Sequence, residues 1–165
     1  MATVPADLSS TRGIYLGSQA WIFPIAAIDD AGTLYVTWAT DDAIFPWVVA
    51  GAAGRVAVAW YESTSPAASE TLPSVWDVRL VESVDADAAV PTFRGGRANV
   101  DPLHIGYVCT AGGGCGGRDR TRGDFFEVAI SADGFPVVAW AGDSPTPVQH
   151  VQVWFGGVST GTPLR

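Results

Sequence analysis

Three segments of this chain align with one another without a gap. Phe23 to Trp38 reads FPIAAIDDAGTLYVTW, Phe45 to Trp60 reads FPWVVAGAAGRVAVAW, and Phe125 to Trp140 reads FFEVAISADGFPVVAW. Each opens on Phe and closes on Trp, with a Gly nine positions in (Gly32, Gly54, Gly134) and a Val thirteen in (Val36, Val58, Val138). Agreement of this kind dictates a repeated supersecondary unit whose copies stack to bury what one copy cannot bury alone.

The unit reads as a β-hairpin. Two apolar runs flank a turn of the type D-x-A-G or A-D-G, where Gly supplies a positive φ at no steric cost. The strands do not alternate cleanly: Val56 to Trp60 reads V-A-V-A-W, which suits a strand covered on both faces. A β-propeller meets that condition, because each radial sheet is sandwiched between two neighbours. Other segments predict outer strands. Val75 to Glu82 has Asp77 and Arg79 on its more exposed face, Val90 to Phe93 is a short partner, Val148 to Phe155 lies near the C-terminus, and Ile14 to Leu16 lies near the N-terminus. No segment carries a 3.6-residue apolar period with caps, so almost no helix is expected.

The chain has 165 residues, 48% of them hydrophobic, which is ample for one packed domain and short for two. The expectation is an all-β half-propeller over residues 1–165, with repeat hairpins near 23–38, 45–60 and 125–140. At roughly 40 to 50 residues per blade the chain holds about three, too few to close a ring. The first two repeats start only 22 residues apart, so the first blade has no room for its own outer strands. An open stack would expose two apolar faces, which monomers rarely do. A homodimer closing one ring of about six blades is therefore expected.

Charge narrows the function classes. The net charge is −8, from 17 acids against 9 Arg, and no Lys is present. An acidic chain repels phosphate backbones, which argues against nucleic acid as a partner. The missing lysine removes Schiff-base catalysis and the P-loop lysine, and no organic cofactor is expected. Negative charge keeps a protein soluble and also gathers divalent cations, Ca²⁺ in particular. No apolar run approaches the roughly 20 residues of a membrane-spanning helix. Met1 to Ser10 lacks a basic stretch followed by an apolar one, so no signal peptide is expected in this chain. Cys109 and Cys115 flank a Gly-rich stretch, CTAGGGC, that suits either a small disulfide or two thiols in a loop. Two cysteines with no companion pair do not make a zinc site.

The run FPWVVAGAAGRVAVAWYES, followed by VWDVRLVES, HIGYVCTAGGGC and RGDFFEVAISADGFPVVAW, resembles the C-terminal half of bacterial sialidase-like (BNR-repeat) six-bladed propellers. The likeness covers about Phe23 to Asp143, and the order of the motifs carries it. It implies a propeller fold, an extracytoplasmic (secreted or periplasmic) location and glycoside hydrolysis. The S-x-D-x-G-x-T-W box of that family is absent; Ser131-Ala132-Asp133-Gly134 comes nearest to it.

Propeller sites lie at a channel mouth, near the starts of the inner strands. Asp124 precedes the opening Phe of the third repeat, where the first two have Ile22 and Ile44. It reads as a channel-mouth base or metal ligand, or as a strand-end cap. The long loop from Asp101 to Gly123 holds the remaining candidates. His104 suits a general base or a hydrogen-bonded loop residue. Arg120 and Arg122 suit bidentate binding of a carboxylate or phosphate, or ion pairs with Asp119 and Asp124. Asp101, Asp124 and Glu127 form a candidate Ca²⁺ set, and Tyr61 a substrate contact. Two functions follow. One is a hydrolase of an anionic ester, such as a phosphoester, or of a glycoside, assisted by Ca²⁺ by fold-level analogy. The other is a non-catalytic glycan-binding or scaffold module using exposed aromatics.

Overall fold

The computed structural model describes residues 24–38, 43–64, 74–108, 126–143 and 151–165. These residues are all-β and contain no helix. Ten strands run in order: β1 (Ile25–Ile28), β2 (Leu34–Thr37), β3 (Ala43–Ala50), β4 (Val56–Ser63), β5 (Ser74–Ser83), β6 (Arg94–Arg97), β7 (His104–Gly106), β8 (Phe126–Ile130), β9 (Pro136–Asp143) and β10 (Val151–Gly157).

The strands form three antiparallel sheets. The first is the β1–β2 hairpin, the second runs β3-β4-β5-β6 with β7 also on β5, and the third runs β8-β9-β10. The repeat is visible as three hairpins, β1–β2, β3–β4 and β8–β9. The aligned glycines all adopt positive φ: 87° at Gly32, 71° at Gly54 and 84° at Gly134. The turns close with the same backbone bond, Asp29 N to Thr33 O, Gly51 N to Arg55 O and Ser131 N to Phe135 O, at 2.8–3.1 Å. A β-carbon at these positions would force a rarely populated backbone, which is why the repeat keeps Gly there.

The sheets stack in chain order. The first packs on β3, while β8 packs on β3 and β4, and β9 meets β5. The core lies chiefly between the second and third sheets, built from Ile44, Ala59, Trp76, Val78, Phe126, Val128, Val138 and Trp140. β3 is the edge of its sheet and contains Pro46, which has no N–H to give. Its register with β4 shifts between Ile44 and Trp47, and Phe45 sits at φ 50°, an uncommon conformation for a bulky residue.

Two outer strands lie as expected. In β5, Trp76, Val78 and Leu80 are buried while Asp77 and Arg79 point to the more open face, and Arg79 pairs with Glu62. The C-terminal strand is present as β10. One expectation is corrected: the strand after β5 is Arg94–Arg97, not Val90–Phe93. The earlier segment belongs to a loop held by Asp85, whose carboxylate accepts the Thr92 N–H at 2.8 Å and the Thr92 hydroxyl at 2.8 and 3.0 Å. Ile14 to Leu16 lies outside the described residues.

The C-terminal residues add a contact that no periodicity announces. Leu164 is fully buried. Its N–H donates to Gly134 O and its carbonyl accepts from Ala52 N, both at 2.7 Å, so it bridges the turns of the second and third hairpins. Arg55 Nη1 donates to Pro163 O at 2.7 Å beside it.

Candidate functional site

Between β6 and β7 the chain leaves the edge of β5 for a short loop and then returns. Ala98 N donates to Val78 O and Leu103 N to Trp76 O, both at 2.8 Å, at the two ends of this loop. Asn99 fills the gap in the ladder. Its Oδ1 accepts Val78 N–H at 2.7 Å, and its Nδ2 donates to Asp77 Oδ1 at 2.8 Å and Asp101 O at 2.6 Å. Arg97 Nη2 donates to Val100 O at 2.7 Å. A loop whose polar groups are satisfied by its own side chains presents a defined shape.

That loop faces the third sheet across a cleft of about 170 Å³ lined by Asp101, Leu103, Trp140, Asp143 and Trp154, among others. Trp154 of β10 stands opposite Trp140 of β9 in register, so both indoles lie on one face of the sheet. Trp140 is buried, whereas Trp154 is 44% exposed. Gly142 stands between them and the loop, and a β-carbon there would come within 2.8 Å of Leu103 Cδ1.

His104 ties the two sheets together at the floor of this region. It is 5% exposed, and its Nδ1 lies 3.1 Å from both carboxylate oxygens of Asp143. Its Nε2 lies 3.3 Å from Tyr107 O. Both partners are acceptors, so the ring N–H meets one of them in either tautomer. Gly106, at φ 144°, makes room for it: a β-carbon there would approach Nε2 to 2.9 Å. The Gly106 carbonyl accepts the indole N–H of Trp76 at 3.2 Å.

The other residues singled out from sequence fall as follows. Asp101 is exposed and borders the cleft. Glu127 is exposed on β8, opposite Ala139. Tyr61 is 1% exposed and packs edge-on against Phe126 and Phe45, with centroids 4.7 and 6.0 Å away, so its ring belongs to the core. Among the described residues no three or more of His, Cys, Asp and Glu gather in one place. Asp124, Arg120, Arg122, Cys109 and Cys115 lie outside the described residues.

Asp143, Trp154 and Asn99 were not anticipated. One signal pointed to Asp143. It lies three residues past the closing Trp of its repeat, where the first repeat has Asp41 and the second Ser63. No family model, curated protein or solved structure gives a significant match to the chain.

Proposed function

We propose that the chain is a glycan-binding module on a sialidase-like β-propeller scaffold, with the cleft beside Trp154 as its sugar site. The observation that carries this reading is the half-exposed Trp154 indole standing beside Trp140, in a cleft that two carboxylates, Asp101 and Asp143, also border. The C–H face of a pyranose is apolar and packs on a flat ring, while its hydroxyls donate to carboxylates. Three sheets stacked in chain order, each opening on the same hairpin, support the scaffold as three blades of a propeller. A secreted or periplasmic location and a Cys109–Cys115 disulfide go with this reading.

Glycoside hydrolysis is the second reading, favoured by the presence of Asp101 and Asp143 on one cleft. Glycosidases employ paired carboxylates. His104 would then act as a positioning residue that fixes the Asp143 carboxylate.

Calorimetric titration with sialylated and neutral oligosaccharides tests the first reading. Binding that Trp154→Ala abolishes supports it, and no binding tighter than about 10 mM for any of them overturns it. Chromogenic sialosides, neutral glycosides and phosphoesters, with and without a chelator, test the second. Turnover lost in Asp143→Asn establishes hydrolysis, and its absence with every substrate removes it.

A further inference from the structure

The cleft beside Trp154 is both aromatic and acidic. Trp140 and Trp154 line it from β9 and β10, and Phe155, the next residue of β10, borders it as well. β10 is the edge of its sheet, and Phe155 is 85% exposed there. The charged side chains on the cleft are those of Asp101, on the loop, and Asp143, at the end of β9. Among the described residues that line it, none is basic.

Both acids are placed to accept from a ligand. Asp101 is fixed through its backbone, whose carbonyl takes Asn99 Nδ2 at 2.6 Å, while its carboxylate makes no hydrogen bond or ion pair among the described residues. Asp143 takes His104 Nδ1 at 3.1 Å, and its side chain is 23% exposed. A carboxylate offers about four acceptor sites, so one histidine does not exhaust it. The guanidinium of Arg97, beside the loop, is committed to Val100 O at 2.7 Å and to Asp77 Oδ1 at 3.6 Å. An aromatic ring attracts a cation to its electron-rich face, and a carboxylate attracts one by charge. Rings and carboxylates on one cleft therefore act together on a cation and together disfavour an anion.

We propose that the cleft recognises an ammonium group carried on a sugar ring, so that its ligand is an amino-sugar oligosaccharide and not a sialylated one. The proposal rests on the glycan reading of the same cleft and adds to it the charge of the ligand. The sugar ring packs on Trp154, and its ammonium donates to Asp101 and Asp143 in charge-assisted bonds, which are stronger than those of a neutral hydroxyl. A neutral sugar keeps the ring contact and loses the charge. A sialic acid would set its own carboxylate against two others, which is costly.

The test is calorimetric titration of the full chain with a matched pair of ligands. One is an oligomer of glucosamine, at a pH where its amines are protonated. The other is the N-acetylated oligomer of the same length, which is neutral. The amino oligomer binds about tenfold tighter. In Asp101→Asn and Asp143→Asn the gap narrows, since an amide keeps an acceptor and loses the charge. Circular dichroism of each variant separates loss of binding from loss of fold. Equal affinity for the two oligomers overturns the proposal and leaves the glycan reading in place, as does a gap that neither variant narrows. A sialylated oligosaccharide that binds tighter than its desialylated parent also overturns it. Trp154→Ala abolishes binding of both oligomers. An amino oligomer that still binds this variant is held by the net charge of −8 at large and not by the cleft, and that result overturns the proposal. Choline carries an ammonium without a sugar. If choline binds and neither oligomer does, the glycan reading falls and the amino-sugar assignment falls with it.

Discussion

The carboxylate of Asp29 accepts the backbone N–H of Gly54 at 2.9 Å, reaching from the turn of the first hairpin to the turn of the second. The same side chain closes its own turn, with Oδ1 accepting the N–H groups of Ala31 and Thr33 at 3.0 and 2.8 Å. Oδ2 also takes the Tyr35 hydroxyl at 3.0 Å. A backbone bond from Asp30 N to Gly51 O, 2.9 Å long, runs alongside. One residue thus sets a local conformation and fastens one sheet to the next. Gly54 has little freedom to change, because its φ of 71° is one that L side chains rarely adopt.

This arrangement predicts an acid-sensitive contribution to stability. The Gly54 N–H, followed by Thr33, Tyr35 and Ala31, holds the Asp29 carboxyl below the ordinary aspartate range, with burial opposing. A group whose pKa is depressed by folding contributes stability above its unfolded pKa and loses it as pH falls through the folded value. The wild type should therefore lose stability from this group below about pH 4. Asp29→Asn should melt lower than wild type at neutral pH and lose less on acidification. Thermal unfolding followed by circular dichroism between about pH 7 and pH 3 checks this, and parallel profiles for the two proteins would refute it.

Tyr35 supplies the mirror case. Burial first, then its bond to Asp29 and that residue's charge, push the phenol above its usual value. Its contribution is present below the unfolded pKa and is lost as pH rises through the folded one. Tyr35→Phe should flatten the loss of stability above about pH 10, as measured by the same melts.

The buried Leu164 predicts a clasp between the second and third sheets. Leu164→Ala should cost about 2–5 kcal/mol in urea unfolding, the range for emptying a buried leucine site. Gly51→Ala should be destabilising through the same contact, because the added methyl would collide with the Leu164 carbonyl. A Gly51→Ala variant as stable as wild type would show that the clasp carries no load.

Asn99 predicts a coupling between loop and cleft. Its amide bonds to Val78, Asp77 and Asp101 are buried or partly so. Asn99→Ala leaves the Val78 N–H without its acceptor and should cost about 1–3 kcal/mol. Because Asp101 borders the cleft, the same variant should weaken glycan binding, which the calorimetric titration would register.

What was legible in the sequence was what local backbone chemistry dictates. Gly32, Gly54 and Gly134 announced their turns because positive φ is a property of single positions. The V-A-V-A-W run announced a strand covered on both sides; one face is fully buried at Ala57 and Ala59, and the other is buried at Val56 and half-buried at Val58 and Trp60. Val90 to Phe93 misled because its β-branched and aromatic residues outweighed Pro91, and the bonds that hold the loop come from Asp85, seven residues before Thr92. Leu164 and the Asn99 insertion followed no period, so no pattern could reveal them. Within the candidate site, His104 was visible as one of two histidines. Its partner lies 39 residues on, in another sheet, and a pairing of that kind leaves no trace in spacing.

That pairing yields the last prediction. His104 is almost fully enclosed and Asp143 is partly open, with side-chain exposures of 5% and 23%. Removing the imidazole empties a site that Gly106 is shaped to accommodate and strips the Asp143 carboxylate of a partner. Breaking a buried pair from one side is costlier than the pair's net worth, because the remaining group keeps its desolvation penalty. His104→Ala should therefore destabilise by about 2–4 kcal/mol in urea unfolding. His104→Gln, which retains a donor of similar reach, should recover part of that loss. Asp143→Asn, whose amide oxygen still accepts from Nδ1 and whose exposed side meets water, should cost less than His104→Ala. If His104→Ala proves as stable as wild type, the ring is not the tie between the second and third sheets, and the site would have to be held by Leu103 and Trp140 alone.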